Sequence, residues 1–405
     1  MTSDRSVRDP GDGRRGAANP AVSGLDRIAA AGLGGRRIAL LTHHAAVDSS
    51  WRNAADVVHS LPGTELRAIL APQHGFWGET QDNMIEWESY EHPRWGIPVH
   101  SLYGGSREPS DSMLSGCDLL LVDLQDVGAR YYTYVYAMAL SMRRAASTGI
   151  PVMILDRPNP LGLRIVEGRP QEPGMLSYVG LYPIPVRHAM TIGELARLFA
   201  HSDGLPTPEV IAFEADCTEG LPERYPWVLP SPNMPTPETA LVYPGMCLFE
   251  ATNISEGRGT TRPFEVFGAP WIDPDVLCGE LEGHPMLEGS VLRPHRFVPA
   301  FGKHAGVMCG GARIHPIDPA SFRPLRAGLA LLAGCFRFRG SAWREPPYEY
   351  VWDRMPMDIL AGTADARRMV ETGDFDGLAE FCSGDPEAHS RLAGPHLIYP
   401  REFSA

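Results

Sequence analysis

Leu119-Leu120-Leu121-Val122-Asp123-Leu124-Gln125-Asp126 decides the fold. Its first residues are apolar without alternation, and the run breaks into carboxylates at its carboxyl end. A strand apolar at consecutive positions suits a sheet covered on both faces. Four further runs have the same form, at residues 37–42, 66–70, 99–103 and 152–156, beside the first at 119–123. Candidate helices fall between them at 53–60, 109–114 and 134–147. This alternation predicts an α/β fold, a Rossmann-like doubly wound parallel sheet. Thr191-Ile192-Gly193-Glu194 is a capping-box pattern that opens a later helix, to about residue 201, expected at the sheet's edge.

Each early strand ends in polar residues: Thr42-His43-His44, Pro72-Gln73-His74-Gly75, Asp123 to Asp126, and Asp156-Arg157. Ligands of open α/β sheets bind beyond the strand carboxyl ends, so these ends are expected to share one mouth. No G-x-G-x-x-G follows the first strand and no P-loop pattern occurs, which sets a nucleotide aside, and no cofactor is expected. His43-His44, His74 and His188 lack metal-ligand spacing, and no G-x-S-x-G elbow follows a strand.

The chain of 405 residues exceeds what one hydrophobic core usually serves. We expect a tail at 1–20, the Rossmann-like domain at 21–237 ending in a proline-rich strap, and a smaller α+β domain at 238–405 that closes the cleft. Within the latter, a strand is expected at 311–315 and a helix near 324–333. A formal charge of −13 argues against nucleic acid or an anionic membrane surface as general partners. Seven scattered cysteines, an odd number, read as reduced thiols. With no apolar signal-peptide core near the first residues, the expected location is cytoplasmic. No stretch has the apolar length of a membrane span. Oligomeric state is open.

A second informative run is Asn253-Ile254-Ser255-Glu256-Gly257-Arg258-Gly259-Thr260-Thr261-Arg262-Pro263-Phe264-Glu265. Such polar density is costly to bury without partners. Either it is a turn braced by its own ion pairs, or it is a pocket floor for an anionic ligand gripped by Arg258 and Arg262.

Further runs carry a resemblance: Gly75-Phe76-Trp77-Gly78, Ser101-Leu102-Tyr103-Gly104, Asp123 through Tyr134, Asp156-Arg157-Pro158-Asn159-Pro160, Gly180 through His188, and Ser231-Pro232-Asn233-Met234-Pro235. In this order, with the glycine-broken run, the chain resembles the exo-β-N-acetylmuramidases of the NamZ type, from about Gly24 past Lys303-His304. The resemblance implies a glycosidase that releases N-acetylmuramic acid, or a related amino sugar, from the non-reducing end of peptidoglycan fragments.

In that family the segment after the second strand usually reads Pro-Glu-His-Gly, with the glutamate as the favoured catalytic residue. Here Gln73 stands in its place, and an amide neither gives nor takes a catalytic proton near neutral pH. Glu79 is a candidate replacement. Asp123 and Asp126 flank a turn in which one pKa could rise and the other fall, or in which one caps a helix and neutralises Arg130. His74 could shuttle a proton or serve the turn alone. Glu256 is a candidate for orienting or polarising the substrate.

Asn159 and Asn233 are candidate partners of ring substituents, and Trp77, Trp87, Tyr131, Tyr132 and Tyr134 offer ring faces to a sugar. The lactyl carboxylate of muramic acid calls for a cation, from Arg130, Arg157, Arg258 or Arg262. Gln73, Asp156, Asn253, Thr260, Thr261 and Glu265 complete the candidate binding set. The alternative is a protein that keeps the amino-sugar cleft and has lost or altered catalysis at Gln73.

Overall fold

The computed structural model describes residues 22–82 and 84–405; the expected tail at 1–20 lies outside them. The chain runs through β1 (Arg37–Thr42), α1 (Ala54–His59), β2 (Glu65–Ala71), β3 (Tyr90–Glu91), β4 (Pro98–Ser101), α2 (Asp111–Leu114), β5 (Leu119–Asp123), α3 (Tyr134–Ser147), β6 (Val152–Leu155), α4 (Ile192–Ser202) and β7 (Glu209–Ile211). These strands form a seven-stranded sheet in the order β3-β4-β2-β1-β5-β6-β7. All are parallel except the short edge strand β3. Without β3 the order is that of the doubly wound dinucleotide folds, and it reverses between β1 and β5, where Thr42 faces Asp123.

Burial along β1 shows why its run has no alternation. Ile38 and Leu40 join one core with Leu25, Val58, Ile69 and Leu121. Ala39 and Leu41 join the other, with Leu70, Val122, Val135 and Phe199. This second core continues through Tyr243, Phe249, Phe267 and Leu329, so the C-terminal elements pack on the sheet's own apolar face.

Those elements are α5 (Pro237–Met246), β8 (Val266–Ala269), α6 (Pro274–Leu281), β9 (Ser290–Phe297), β10 (Cys309–Pro316), α7 (Pro324–Phe336), α8 (Pro356–Ala361), α9 (Asp365–Thr372), α10 (Phe375–Cys382) and α11 (Pro386–Ala393). The strands make a small antiparallel sheet in the order β8-β10-β9. Helices α5 and α7 cross glycine on glycine. A Cβ on Gly245 would overlap the Pro324 carbonyl, and one on Gly328 would overlap the Gly245 backbone. That close crossing seats α5, which carries part of the site.

One expectation changes. Helix α4 has its capping box at Thr191 and Glu194, but it lies over the sheet face beside α3, with Leu195 and Phe199 in the core and Gly193 against β7. The chain becomes helical straight after the strap: Pro237 is the first residue of α5, capped by Thr236. Proline suits that position because its missing N–H would have no intrahelical partner there. Among the described residues no helix is long and apolar enough to cross a membrane.

Candidate active site

One slot collects side chains from both sides of the strap. Gln73 and His74 leave the carboxyl end of β2, and Tyr131 to Tyr134 lead into α3. Ser231 and Asn233 come from the strap, and Tyr243, Cys247 and Glu250 from α5 and the 3-10 turn behind it. Arg258 and Phe264 come from the glycine-broken run, and Tyr348 and Glu349 from a tight turn before α8. Out to its open mouth the slot spans about 530 Å3, nearly all of it too narrow for a water molecule. Seating a sugar ring therefore requires the walls to part.

The strap is tied down from below. Tyr134 donates its hydroxyl hydrogen to the Pro230 carbonyl at 2.8 Å. His43 also reaches that carbonyl through Nδ1, at 3.3 Å, while its Nε2 accepts from the Gln125 amide at 2.9 Å. The switch point between β1 and β5 is thus filled by a neutral histidine that anchors one wall of the slot.

Carboxyl groups in and beside the slot meet contrasting surroundings. Glu349 is buried, and that burial pushes its carboxyl up to about 7 despite a hydrogen bond from Tyr103. Arg107 stacks on the Tyr103 ring at 3.7 Å and on the Tyr350 ring at 4.5 Å, bracing the turn that carries Glu349. Behind Arg258 a chain of charges is closed: its guanidinium meets Glu250 at 2.7 Å and Glu256 at 3.0 Å, and Lys303 meets Glu256 at 2.8 Å. Against burial, Lys303 and Arg258 hold Glu256 down at about 2. The Nε of Arg258 is buried without a hydrogen-bond partner, as is the Tyr131 hydroxyl. Both belong to residues of the slot.

His74 is buried with φ +75° and reaches the Thr80 carbonyl through Nδ1 at 2.8 Å. A carbonyl only accepts, so Nδ1 carries the hydrogen and Nε2 keeps its lone pair. Burial lowers this histidine to about 4, so it is neutral at ordinary pH.

The residues expected from the sequence divide by place. Gln73, His74, Tyr131, Asn233 and Arg258 line the slot. Gln73 accepts from Thr133 at 3.3 Å, and Asn233 donates to the Gln81 carbonyl at 2.7 Å. Glu256 stands one ion pair behind. Glu79 is exposed and accepts from the Trp77 amide in its own turn.

Beneath the sheet's mouth, Asp123 is locked into a fully buried pair with Arg157. Asp126 accepts from the Gly128 amide and lies 3.3 Å from His188. Asp156 receives Gly193, Thr191 and Tyr399, and burial with Glu194 nearby pushes it up to about 7. Asn159 closes its loop through Leu161 and Met190. Arg130 donates through Nη1 and Nη2 to the carbonyls of Arg169, Ile184 and Leu360, and its Nε is buried without a partner. The four strand ends therefore do not share one mouth: the end of β2 lines the slot, and the others brace it.

The glycine-broken run divides as well. Arg258 faces the slot, whereas Arg262 is half exposed and pairs with Glu265, which also holds Arg313 and Thr239. Asn253 bonds Gly340 and Ala342, Thr260 closes on the Gly257 carbonyl, and Thr261 is exposed. The internal ion pairs of the first reading are present, and of the two arginines in the second only Arg258 lines the slot. Among the described residues no group of three or more His, Cys, Asp or Glu side chains is placed to hold a metal ion.

The family description "Exo-beta-N-acetylmuramidase NamZ, N-terminal" matches residues 38–238, and its C-terminal counterpart matches 241–399. The chain belongs to this family. It is 42% identical over 350 residues to the peptidoglycan β-N-acetylmuramidase NamZ of Bacillus subtilis (strain 168), covering 86% of this chain and 78% of that one. Two DUF1343 family proteins of Bacteroides fragilis NCTC 9343 share the fold. One has a TM-score of 0.79 at 26% identity and the other 0.71 at 28%, each match covering 94% of this chain and 99% of the neighbour. As a member of the NamZ family the chain is a glycosidase, and the binding-only alternative finds no support in these likenesses.

For this NamZ-family chain, the sequence reading missed Glu250, Tyr243, Tyr348 and Glu349. Glu349 sits in Pro346-Pro347-Tyr348-Glu349-Tyr350, a carboxylate between two tyrosines after paired prolines. That local density of aromatic rings around one acid was the available signal.

Proposed function

We propose that this NamZ-family glycosidase is an exo-acting β-N-acetylmuramidase that removes N-acetylmuramic acid from the non-reducing end of peptidoglycan fragments. The observation that carries the reading is the pairing, in one narrow slot, of tyrosine rings with a buried guanidinium whose Nε has no partner. The rings suit a pyranose, and the Nε–H suits the lactyl carboxylate that distinguishes muramic acid from glucosamine. In this reading Gln73 and Asn233, both lining the slot, bond ring substituents. The Bacillus subtilis relative carries the peptidoglycan β-N-acetylmuramidase name, which supports the reading.

Glu256 acts on the substrate through Arg258, and Asp123, Asp126, Asp156 and Asn159 hold the scaffold. We place the reaction in the cytoplasm because all seven cysteines are free thiols, six of them buried, which fits a reducing compartment. Cell fractionation that finds the protein outside the cytoplasmic membrane would contradict that location.

The test of substrate class compares an aryl β-N-acetylmuraminide with the matching aryl β-N-acetylglucosaminide, which lacks the lactyl group. The reading expects kcat/KM to favour the muraminide by about tenfold or more, the worth of one charge-assisted hydrogen bond. Equal rates, or a preference for the glucosaminide, would overturn it.

A further inference from the structure

Tyr348-Glu349-Tyr350-Val351 closes on itself, with Tyr348 and Val351 exchanging backbone hydrogen bonds at 3.0 and 2.9 Å. Its central residues have φ of +43° at Glu349 and +65° at Tyr350. This is the mirror-image hairpin turn normally filled by Asn-Gly, because both central positions need positive φ. Side chains are disfavoured at such angles because Cβ crowds the following carbonyl oxygen. Here the strained positions hold a glutamate and a tyrosine, and each has a fixed destination. Glu349 enters the slot, where Tyr103 donates to it at 3.0 Å, while Tyr350 turns outward to Glu86 at 2.7 Å and under the Arg107 guanidinium. Glycine in either place would relieve the backbone and lose that placement.

We propose that Glu349 is the proton donor of this glycosidase, in the role that an amide at position 73 cannot fill. The inference deepens the muramidase reading and rests on it. Three observations carry it: Glu349 lines the same slot as Gln73, His74 and Arg258; it is held at positive φ on a tight turn; and its carboxyl is buried with one oriented donor. Its surroundings keep the proton in place at neutral pH. Burial and Glu250 oppose ionisation, and Tyr103, Arg107 and Arg344 only partly offset them. The other charged or titratable groups lining the same space are Arg258, the neutral His74, and Cys247 with five tyrosines, all six of which burial keeps protonated.

In the step, the Glu349 proton passes to the glycosidic oxygen as the C1–O bond breaks, and the bond's electron pair leaves with that oxygen. The departing sugar carries a free hydroxyl. A water gives its hydroxyl to C1, and its remaining proton, passed through the site or solvent, restores Glu349. The sum is hydrolysis, with water as the co-reactant.

The test uses the whole chain as Glu349→Gln, which keeps shape and the Tyr103 contact but carries no proton to give. Its thermal melt is compared with the wild type, and kinetics use two substrates: the muramic acid to glucosamine disaccharide, and a 2,4-dinitrophenyl muraminide whose leaving group needs no protonation. The proposal expects a loss of about a hundredfold or more on the disaccharide and a much smaller loss on the activated glycoside. The basic limb of the wild-type pH profile, near 7, should be absent from the variant's rate on the activated substrate. Equal losses on both substrates, or no loss on the disaccharide, overturn Glu349 as donor while leaving the muramidase reading standing. If the variant does not fold, the wild-type profile still decides: a rate on the disaccharide that does not fall as pH rises through 7 overturns it. A wild type silent on every muraminide overturns both.

Discussion

Tyr103 and Glu349, 246 positions apart in sequence, meet in a hydrogen bond of 3.0 Å from phenol to carboxyl. The tyrosine follows β4 of the parallel sheet and the glutamate lies shortly before α8, so this contact joins the two halves of the chain at the slot. Because the phenol favours the ionised carboxylate, it restrains the upward push of burial on Glu349. Tyr103→Phe removes that restraint. The expected outcome is a basic limb of kcat/KM displaced upward by about one pH unit, the equivalent of a single hydrogen bond. A limb that stays in place, or moves down, would show that the phenol does not act on the titrating group.

Arginines 258 and 262 lie in one run yet should behave differently. Arg258→Met strips a buried guanidinium from Glu250 and Glu256 and is expected to cost about 3 kcal/mol in urea unfolding. Arg262→Met touches a half-exposed pair whose glutamate keeps Arg313, and should cost about 1 kcal/mol or less. Similar losses for both would mean that the closed charge chain behind the slot is not what stabilises it.

Glu79 was an attractive acid in the sequence because it follows Gln73 closely. Its carboxylate points into its own exposed turn. Glu79→Gln should leave kcat on the disaccharide within about twofold, since a proton donor would be worth a hundredfold. A hundredfold loss would return the acid role to this loop.

Gly245→Ala probes how the site is seated. Its methyl group would press on the Pro324 carbonyl at the α5–α7 crossing, and neither backbone has room to withdraw without moving Tyr243 and Glu250. The expected loss is about 1–3 kcal/mol of stability, accompanied by a raised KM. Stability and KM both unchanged would mean that the crossing yields freely.

The sheet was legible because its strands are local and apolar on both sides, as β1 shows by feeding alternate residues into two cores. Helix α3 and the α4 cap were legible for the same reason, a pattern complete within a few residues. The slot was less so. Gln73, His74, Tyr131, Asn233 and Arg258 stood out as polar or aromatic groups in tight motifs, and all five reach the slot. Asp123, Asp126, Asp156 and Arg130 stood out equally, yet they lie outside the slot and are held mainly by internal partners. Which of the two fates a buried charge meets depends on contacts such as Asp123 with Arg157, 34 positions away, which no local pattern encodes. Glu349 was missed for the complementary reason. Its distinction is a pair of positive backbone angles and a tyrosine from the other half of the chain.

The central claim is that the chain cuts the terminal muramyl bond from the non-reducing side. The most direct measurement is mass spectrometry of the muramic acid to glucosamine disaccharide, isotopically labelled at its reducing end, after incubation with the wild-type protein at pH 6. The account predicts unlabelled N-acetylmuramic acid together with labelled N-acetylglucosamine in equal amounts. An intact disaccharide, or cleavage seen only inside longer glycans with no terminal muramic acid released, would contradict it.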